Sequence, residues 1–533
     1  MNESDLAPKL RRVGQCIQLL VRGRPTLLLA GEVHNSASSC LTHMDGVFRR
    51  AKELNCNALF VPVSWELVEP AEGCYDFSLV DGLIERARAM DLLLIPLWFG
   101  AFKNTWCTYA PGWVKADLTR FPRQQPQPGM NTGALCVFGD EARRCDARAF
   151  AAMMEHIRQV DQMQQTVVMV QVENEVGMLG GSRDHCRLAE AAFATDVPAA
   201  LMEYLMAHAD TLRQEVRTPW EAAGQRTSGT WSRVFGSAAD EIFMAWGFGQ
   251  FVGQVAQAGR REYDLPMFAN AWLVQYPGEA PGAYPSGGPV SRVMDIWRAA
   301  APSLDLLTPD IYIDDFKGVC ADYCRSGNPL LIPEARREEA MAAKALYAFG
   351  QHNAIAFAPF GVESVGLKGS VAIDGVVAAA SLGNESSADA ACLLTRTYAM
   401  LSNMAPQILE ATAAGRCAGV LQTGNAPETI HIGGYTLRLD FSRALSPDLS
   451  PAGGIILSPQ DGEFIVAGFG FSVRFLSNNP AAEHTDFLEL SDGSFAAGKW
   501  IPGRRLNGDE YALCLPWAPS VRLVKLYRYA QRS

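Results

Sequence analysis

Several features that would assign a function directly are missing from this sequence. No apolar run approaches the length of a membrane span, and the start MNESDLAPKLRR places acidic before basic residues, unlike a signal peptide. The chain has no G-x-S-x-G elbow and no glycine-rich phosphate loop. A formal charge of −11 leaves no Lys and Arg excess for a nucleic-acid surface. We therefore expect a cytoplasmic protein with a neutral substrate, and neither membrane nor nucleic acid as a partner.

Metal-binding patterns are also scarce. The eight histidines are dispersed, and His34 is the one that lies just beyond a predicted strand. The thirteen cysteines are scattered, and the closest pair, Cys320 and Cys324, has no second pair to complete a zinc cluster. We expect mostly reduced thiols, no metal site and no organic cofactor.

What the sequence does contain is a series of short apolar runs, each followed by a polar or aromatic stretch and then by a helical pattern. With 48% hydrophobic and 19% charged residues over 533 positions, the chain is predicted to be globular, with more than one domain. Eight runs recur, and in chain order they are TLLLAGE (26–32), NALFVPVSW (57–65), LLLIPLWFG (92–100), TVVMVQVENE (166–175), PMFANAW (266–272), DLLTPDIYI (305–313), PLLIPEA (329–335) and NAIAFAPFG (353–361). Eight strands with helical connections predict an α/β fold, a (β/α)8 TIM barrel.

The remaining pattern divides the chain into two predicted domains. Residues 1–410 form the barrel, in which the segment 176–265 is too long for a normal connection and predicts extra helices after strand four. A helix is predicted over 387–410. Residues 411–533 show short alternating runs separated by GG, DG and NN turns, which predict a C-terminal antiparallel β-sandwich.

Carboxylates at two strand ends suggest the chemistry. Strand four ends in Glu173, Asn174 and Glu175, and strand seven ends in Glu334. In a barrel these ends face one pocket, where a carboxylate pair can hydrolyse a glycosidic bond without a cofactor. Strand alternation places Glu173 and Glu175 on one face, so spacing does not choose between them. A Schiff-base aldolase would need a Lys within a barrel strand, and the eight runs contain none.

Several motifs together resemble the glycoside hydrolases of clan A. They are QVENEVG, GEVHNS, WELVEPAEGCYDF, PLWFGAFKN with APGWVK, and LLIPEA. More narrowly, they are similar to family 35 β-galactosidases and, more loosely, to family 42, in the branch with a carboxy-terminal β domain. The segment LWFGAFKN replaces the Cys-Ala-Glu-Trp type of signature that family 35 has after strand three.

The resemblance implies roles for residues that match the motifs. It implies that Glu175 is the acid/base, Glu334 the nucleophile, Asn174 the ligand of the sugar 2-hydroxyl, and Tyr312 the residue that steadies the nucleophile. Other candidates for substrate binding follow from their places near strand ends: the aromatic Trp98 and Trp272, and the polar Glu32, Asn35, Lys103 and Asn104. Each also has a simpler interpretation, as core packing for the tryptophans or as an ion pair for Glu32.

The sequence thus predicts a retaining exo-glycosidase that acts on terminal β-D-galactosides in an oligosaccharide or glycoside. Another β-glycoside, such as a glucoside, mannoside or arabinoside, stays open as the substrate, and so does a catalytically silent carbohydrate-binding barrel. The C-terminal domain could bind polysaccharide, pack on the barrel or form a homo-oligomer interface.

Overall fold

A closed parallel barrel forms the larger part of the molecule. The computed structural model describes residues 7–367, 386–479 and 484–530. Within them the barrel strands are β4 (Leu28–Glu32), β5 (Ala58–Ser64), β6 (Leu93–Lys103), β7 (Val170–Asn174), β8 (Met267–Trp272), β9 (Leu306–Ile311), β10 (Ile332–Ala335) and β11 (Ala356–Pro359). Each strand pairs in parallel with its neighbours in sequence, and β11 pairs with β4 to close the ring.

All eight predicted runs form barrel strands, so the predicted fold class is confirmed. One boundary differs from the expectation, because β6 continues three residues beyond its run, which ends at Gly100, and stops at Lys103. The predicted run contains no lysine, but the longer strand ends in one. Its Nζ donates to the Asn174 side chain, 2.8 Å away.

The barrel interior is filled by apolar side chains, among them Phe60, Leu97 and Phe268. A small antiparallel sheet adds Leu19 and Val21 to this same cluster. It consists of β1 (Lys9–Val13), β2 (Cys16–Val21) and β3 (Arg24–Thr26). Since the interior is packed solid, the polar residues that end the strands gather at the carboxyl end.

Helices surround the barrel. They are α1 (Leu41–Glu53), α2 (Trp65–Val68), α3 (Ser78–Ala89), α4 (Gly112–Ala116), α5 (Asp140–Asp161), α6 (Arg187–Phe193), α7 (Ala199–Ala207), α8 (Gln214–Ala222), α9 (Trp231–Phe235), α10 (Ala239–Glu262), α11 (Met294–Ala300), α12 (Phe316–Tyr323), α13 (Met341–His352) and α14 (Ala388–Ala413). Single 3-10 turns lie at Ala37–Ser39, Gly236–Ala238, Ser291–Val293, Arg325–Gly327, Val362–Ser364 and Gly508–Glu510. The long segment after β7 contains α6 to α10. Helix α14 occupies the predicted helical segment and ends three residues beyond position 410.

The C-terminal part consists of two antiparallel sheets around a core of its own. Its strands are β12 (Cys417–Leu421), β13 (Glu428–Ile432), β14 (Tyr435–Phe441), β15 (Gly453–Gln460), β16 (Glu463–Phe469), β17 (Phe471–Ser477), β18 (His484–Ala496), β19 (Lys499–Arg505) and β20 (Ser520–Tyr529). The larger sheet has the order β12-β15-β16-β20-β18-β19, and the smaller has β13-β14-β17.

Helix α13 packs closely against the larger sheet. A Cβ added to Gly453 would lie 2.5 Å from the Cα of Ala343, and one added to Gly350 would lie 2.9 Å from the Cα of Gly419. Because any side chain at these glycines would separate the helix from the strands, glycine sets this spacing. The sheet is therefore fixed on the barrel.

Two further expectations concern the membrane and the thiols. Among the residues that the structure describes, no helix combines the length and apolarity needed to cross a membrane. All thirteen cysteines lie in the described ranges and are free thiols. The start of the chain is predicted to be unlike a signal peptide, and its residues 1–6 lie outside the described ranges.

Candidate active site

The carboxyl end of β7 has an unusual backbone. Glu173 has a φ of 60° and Glu175 a φ of 45°, both in the left-handed region that side chains other than Gly rarely adopt. Each such residue costs about 1–3 kcal/mol and persists where the surrounding structure holds it. The strand therefore twists at its end, and the regular alternation of side chains stops there.

As a result, Glu173 and Glu175 do not share a face, and the expectation from strand alternation is wrong. The Glu173 carboxylate points out of the barrel, where it accepts hydrogen bonds from the backbone N–H groups of Ala101 (3.2 Å) and Phe102 (2.6 Å). It lies beside Asp146 of α5, and burial followed by the Asp146 charge raises the pKa of Glu173 well above its ordinary value. Glu173 thus joins β7 to β6 and has no place in the pocket.

Glu175 is held in the pocket from two sides. Its Oε2 accepts a hydrogen bond of 2.6 Å from the Asn104 side chain, and its backbone N–H donates to Asn270 Oδ1 over 3.0 Å. Asn270 lies in β8, so neighbours on both sides of β7 fix this residue. The side chain is only 6% exposed. Burial, and then the negative charge of Glu334, raises the pKa of Glu175 to about 7.

Glu334, near the end of β10, faces Glu175 with two donors of its own. The Tyr312 hydroxyl donates to Oε2 over 2.8 Å, and the Asn174 amide approaches Oε1 at 3.4 Å. Lys103 in turn donates to Asn174 Oδ1, which orients the amide so that its NH2 group points at Glu334. These two donors hold the Glu334 carboxylate in a fixed position, as a nucleophile requires.

A third carboxylate, Asp310 of β9, lies between these two. One oxygen from each of Glu175, Asp310 and Glu334 lies within 4.8 Å of the others. Asp310 accepts a 2.7 Å hydrogen bond from Asn270, and its carboxyl group shares a side-chain hydrogen bond with Glu175. Burial, then the charge of Glu334, raises the pKa of Asp310 well above its ordinary value.

Glu32 adds a fourth buried carboxyl at the end of β4. Its side chain is fully buried, and neither oxygen accepts a hydrogen bond within the described part of the chain. Burial and then the Glu334 charge raise its pKa well above the ordinary value, whereas Lys103 acts in the opposite direction. A buried carboxyl without partners is costly, so a ligand that offers donors here would gain affinity.

Asn35 lies further from the carboxylates. It lines a cavity between the turns that follow β4 and β5, with Ser64 and Tyr109. Its Oδ1 is buried and accepts no hydrogen bond from the described residues. The neighbouring His34 contacts Ser364 at 3.0 Å.

The two predicted tryptophans differ in their surroundings. Trp98 points away from the pocket, is fully buried against Phe150, and donates to Asp146 over 2.8 Å. It therefore packs β6 on α5, and the structure does not place it with the predicted substrate-binding residues. Trp272 ends β8 in register with Asp310 and is half-buried, so it stays a candidate for stacking.

Among the residues that the structure describes, two groups could hold a metal ion by their geometry. They are Glu175 with Asp310 and Glu334, and Cys136 with Asp184 and Cys186, each with ligand atoms within 4.8 Å of one another. The first group consists of hard oxygen donors and the second includes two soft sulfurs.

The structure therefore brings most of the predicted site residues together. The ones it gathers around one pocket are Glu32, Lys103, Asn104, Asn174, Glu175, Tyr312 and Glu334. Sequence reasoning missed Asn270 and Asp310. Both are polar residues inside apolar runs near the carboxyl end of a strand, which is a usable signal in a barrel.

Comparisons with known proteins agree with a glycosidase barrel. A family model described as a beta-galactosidase, of glycoside hydrolase family 42, matches residues 42–223. This is about a third of the chain; it includes Glu175 and stops before Glu334. A domain of unknown function, DUF5597, matches residues 394–515. A search of curated proteins found no match.

Three solved structures are similar at low identity. The beta-amylase catalytic domain from Paenibacillus polymyxa is 12% identical, with 67% of this chain and 97% of that chain covered and a TM-score of 0.46. A beta-galactosidase from Marinomonas ef1 is 13% identical, with coverages of 72% and 60% and a TM-score of 0.43. A beta-galactosidase from Bacillus circulans sp. alkalophilus is 12% identical, with coverages of 93% and 99% and a TM-score of 0.47.

The resemblance to family 35 and the identity of the sugar are not tested by these matches and stay predictions. The family-model match supports a glycoside hydrolase, an enzyme whose substrate is a carbohydrate.

Proposed function

We propose that this protein is a retaining exo-glycosidase that hydrolyses terminal β-D-galactosides by double displacement. The observation that carries the proposal is the approach of Glu175 and Glu334, whose nearest carboxylate oxygens lie within 4.8 Å of each other. Retaining enzymes separate the two carboxyl groups by about 5–5.5 Å, whereas inverting enzymes leave about 6.5–9.5 Å for a water molecule. The short separation favours retention.

In the first step, Glu175 donates its proton to the departing glycosidic oxygen while Glu334 attacks the anomeric carbon. With a pKa of about 7, Glu175 still carries its proton over much of the neutral range. Tyr312 and Asn174 hold the Glu334 carboxylate towards the sugar. The bond from the anomeric carbon to the leaving oxygen breaks, and an ester to Glu334 forms.

In the second step, Glu175 changes from acid to base. Once Glu334 is esterified, its negative charge no longer raises the pKa of Glu175, so that pKa falls. Glu175 then acts as a base, removes a proton from water, and the resulting hydroxide displaces Glu334 from the anomeric carbon. The two inversions restore the β configuration.

The other polar residues fit sugar recognition. Glu32 presents two buried oxygens without a hydrogen bond from the described residues, and sugar hydroxyl groups are donors that could satisfy them. Asn174 is suited to the 2-hydroxyl because it lies beside Glu334. These contacts do not distinguish galactose from the other sugars, so a β-glucoside, β-mannoside or β-arabinoside is the second candidate.

A panel of nitrophenyl glycosides that differ only in sugar and anomer tests the proposal. We expect hydrolysis of the β-galactoside above the others, with the β anomer of the free sugar appearing first by NMR. A preference for another β-glycoside would keep the mechanism and change the substrate. If the α anomer appears first, retention is refuted, and binding without hydrolysis would indicate a silent barrel.

Azide rescue then separates the two glutamates of β7. Glu175→Ala should slow substrates with poor leaving groups far more than activated aryl glycosides, and azide should restore turnover by attacking the glycosyl-enzyme. The matched variant Glu173→Ala removes the acceptor of two backbone N–H groups. It should lose stability and show no azide rescue, and an exchange of these two phenotypes would contradict the assignment.

A further inference from the structure

The turn that follows β6 carries an exposed tryptophan and also the asparagine that binds the proposed acid/base. Trp106 is 44% exposed, although large aromatic side chains are usually well covered. It lies two residues after Asn104, whose side chain donates to Glu175. An exposed indole on the turn that orients a proposed catalytic group is a candidate for contact with the substrate.

The backbone of this turn determines which way the indole faces. Lys103 and Trp106 exchange both backbone hydrogen bonds, at 2.7 and 3.0 Å, and form an antiparallel bridge. The two residues between them, Asn104 and Thr105, have φ values of 49° and 69°, as a tight two-residue turn requires. Directly paired residues of such a turn project their side chains to the same face. Lys103 reaches into the pocket, where it contacts Asn174, so Trp106 lies on the pocket face too.

The turn is also held rigidly. Thr105 is buried, and a β-branched residue at positive φ is strained, so the surrounding structure must impose this conformation. On one side the indole rests against Gly133, because a Cβ there would lie 3.0 Å from a ring carbon of Trp106. The exposed part of the indole is therefore presented to solvent on a fixed support.

We propose that Trp106 is the platform on which the leaving part of the substrate stacks, and that this part is a pyranose ring. The inference rests on the proposed function, because Glu175 protonates the glycosidic oxygen and the leaving group must depart on its side. The turn that orients Glu175 through Asn104 thus also carries the platform. An aromatic face suits the apolar C–H side of a pyranose. The enzyme would then prefer oligosaccharides to glycosides with small leaving groups.

Two substrates with the same sugar test this role. The sugar is the one that the nitrophenyl panel identifies, presented once as its glycosyl fluoride and once linked β-1,4 to glucose. The fluoride has no ring to stack, whereas the disaccharide has one. Trp106→Ala should lower kcat/KM for the disaccharide about tenfold or more and leave the value for the fluoride within about twofold. Trp106→Phe, which keeps a ring, should recover most of the loss.

Tyr527→Ala serves as the control, since Tyr527 is an exposed aromatic residue of β20 in the C-terminal sheet. It should leave kcat/KM for both substrates at the wild-type value. Equal losses on the fluoride and the disaccharide, or no loss on either, would overturn the platform while leaving the proposed function intact. If the wild-type protein hydrolyses no glycoside of the nitrophenyl panel, the proposed function fails and the platform with it, whereas hydrolysis of the fluoride without the disaccharide would overturn the platform alone.

Discussion

Replacing Glu175 with Gln should remove activity and at the same time stabilise the fold. The side chain is 6% exposed, and burial is the largest cause of its raised pKa. A carboxyl group whose pKa is higher in the folded than in the unfolded protein destabilises the fold at high pH, where its charge must be buried. Below the unfolded pKa, both states carry the proton and this cost is absent.

The magnitude follows from the two pKa values. The pKa of Glu175 is about 7 in the folded protein against an ordinary 4.5. At about 1.4 kcal/mol per pH unit, the fully developed cost is about 3 kcal/mol at pH 8 and falls below about 1 kcal/mol at pH 5. A neutral Gln avoids it, and its amide oxygen can still accept the hydrogen bond from Asn104. We therefore expect Glu175→Gln to raise the free energy of unfolding by an amount that grows between about pH 4.5 and pH 7 and is fully developed above pH 7.

Urea unfolding at pH 5 and pH 8, followed by tryptophan fluorescence, measures this effect. Glu53→Gln is the control, because Glu53 is 64% exposed in its side chain and should change stability by less than about 0.5 kcal/mol at either pH. The same Glu175→Gln variant should lose about 100-fold or more in kcat on substrates with poor leaving groups. If it is no more stable than the wild type at pH 8, or gains equally at both pH values, the electrostatic account of Glu175 is refuted.

Three further predictions concern Tyr312, Gly100 and Asn174. Tyr312→Phe removes the hydrogen bond to Glu334 and should lower kcat about 10- to 100-fold in steady-state assays with little change in melting temperature; an unchanged kcat would contradict the positioning role. Gly100→Ala would place a Cβ 2.4 Å from the Glu173 carboxylate, so chemical unfolding should show a free energy of unfolding lower by about 2 kcal/mol or more. A variant as stable as the wild type would contradict this packing. Asn174→Ala should lower kcat/KM much more for a 2-hydroxy glycoside than for its 2-deoxy analogue, whereas equal losses would argue against contact with the 2-hydroxyl.

The barrel was predictable because its signals are local. Each of the eight strands is a short apolar run, and several of the runs end in acidic residues. In a parallel barrel the carboxyl ends face one site whatever the order of the helices. For this reason the sequence alone places Glu175 and Glu334 at one site, although they lie 159 positions apart in the chain. The alternating runs of the C-terminal sheets were equally local.

The choice between Glu173 and Glu175 was not local. Strand alternation treats them alike, and only the left-handed backbone at both residues turns one carboxylate to α5 and the other into the pocket. Trp98 shows the same limit, because its neighbour across the fold is Asp146, and no pattern within β6 reveals that partner. Arg336 likewise follows Glu334 by only two positions in the sequence, yet its guanidinium pairs with Asp314 at 2.9 Å.

The sequence by itself determined the barrel, the second β domain and the strand ends that carry acidic groups, since each depends on hydrophobic period and on residue type within a few positions. Tertiary structure alone decided which of these groups face one another, because that depends on the twist of each strand end and on contacts between residues far apart in the chain. Asp310 and Asn270 belong to the site for this reason: β8 and β9 bring them to Glu175 in space. The charge state of Glu175 is decided in the same way, by burial and by a carboxylate from another strand.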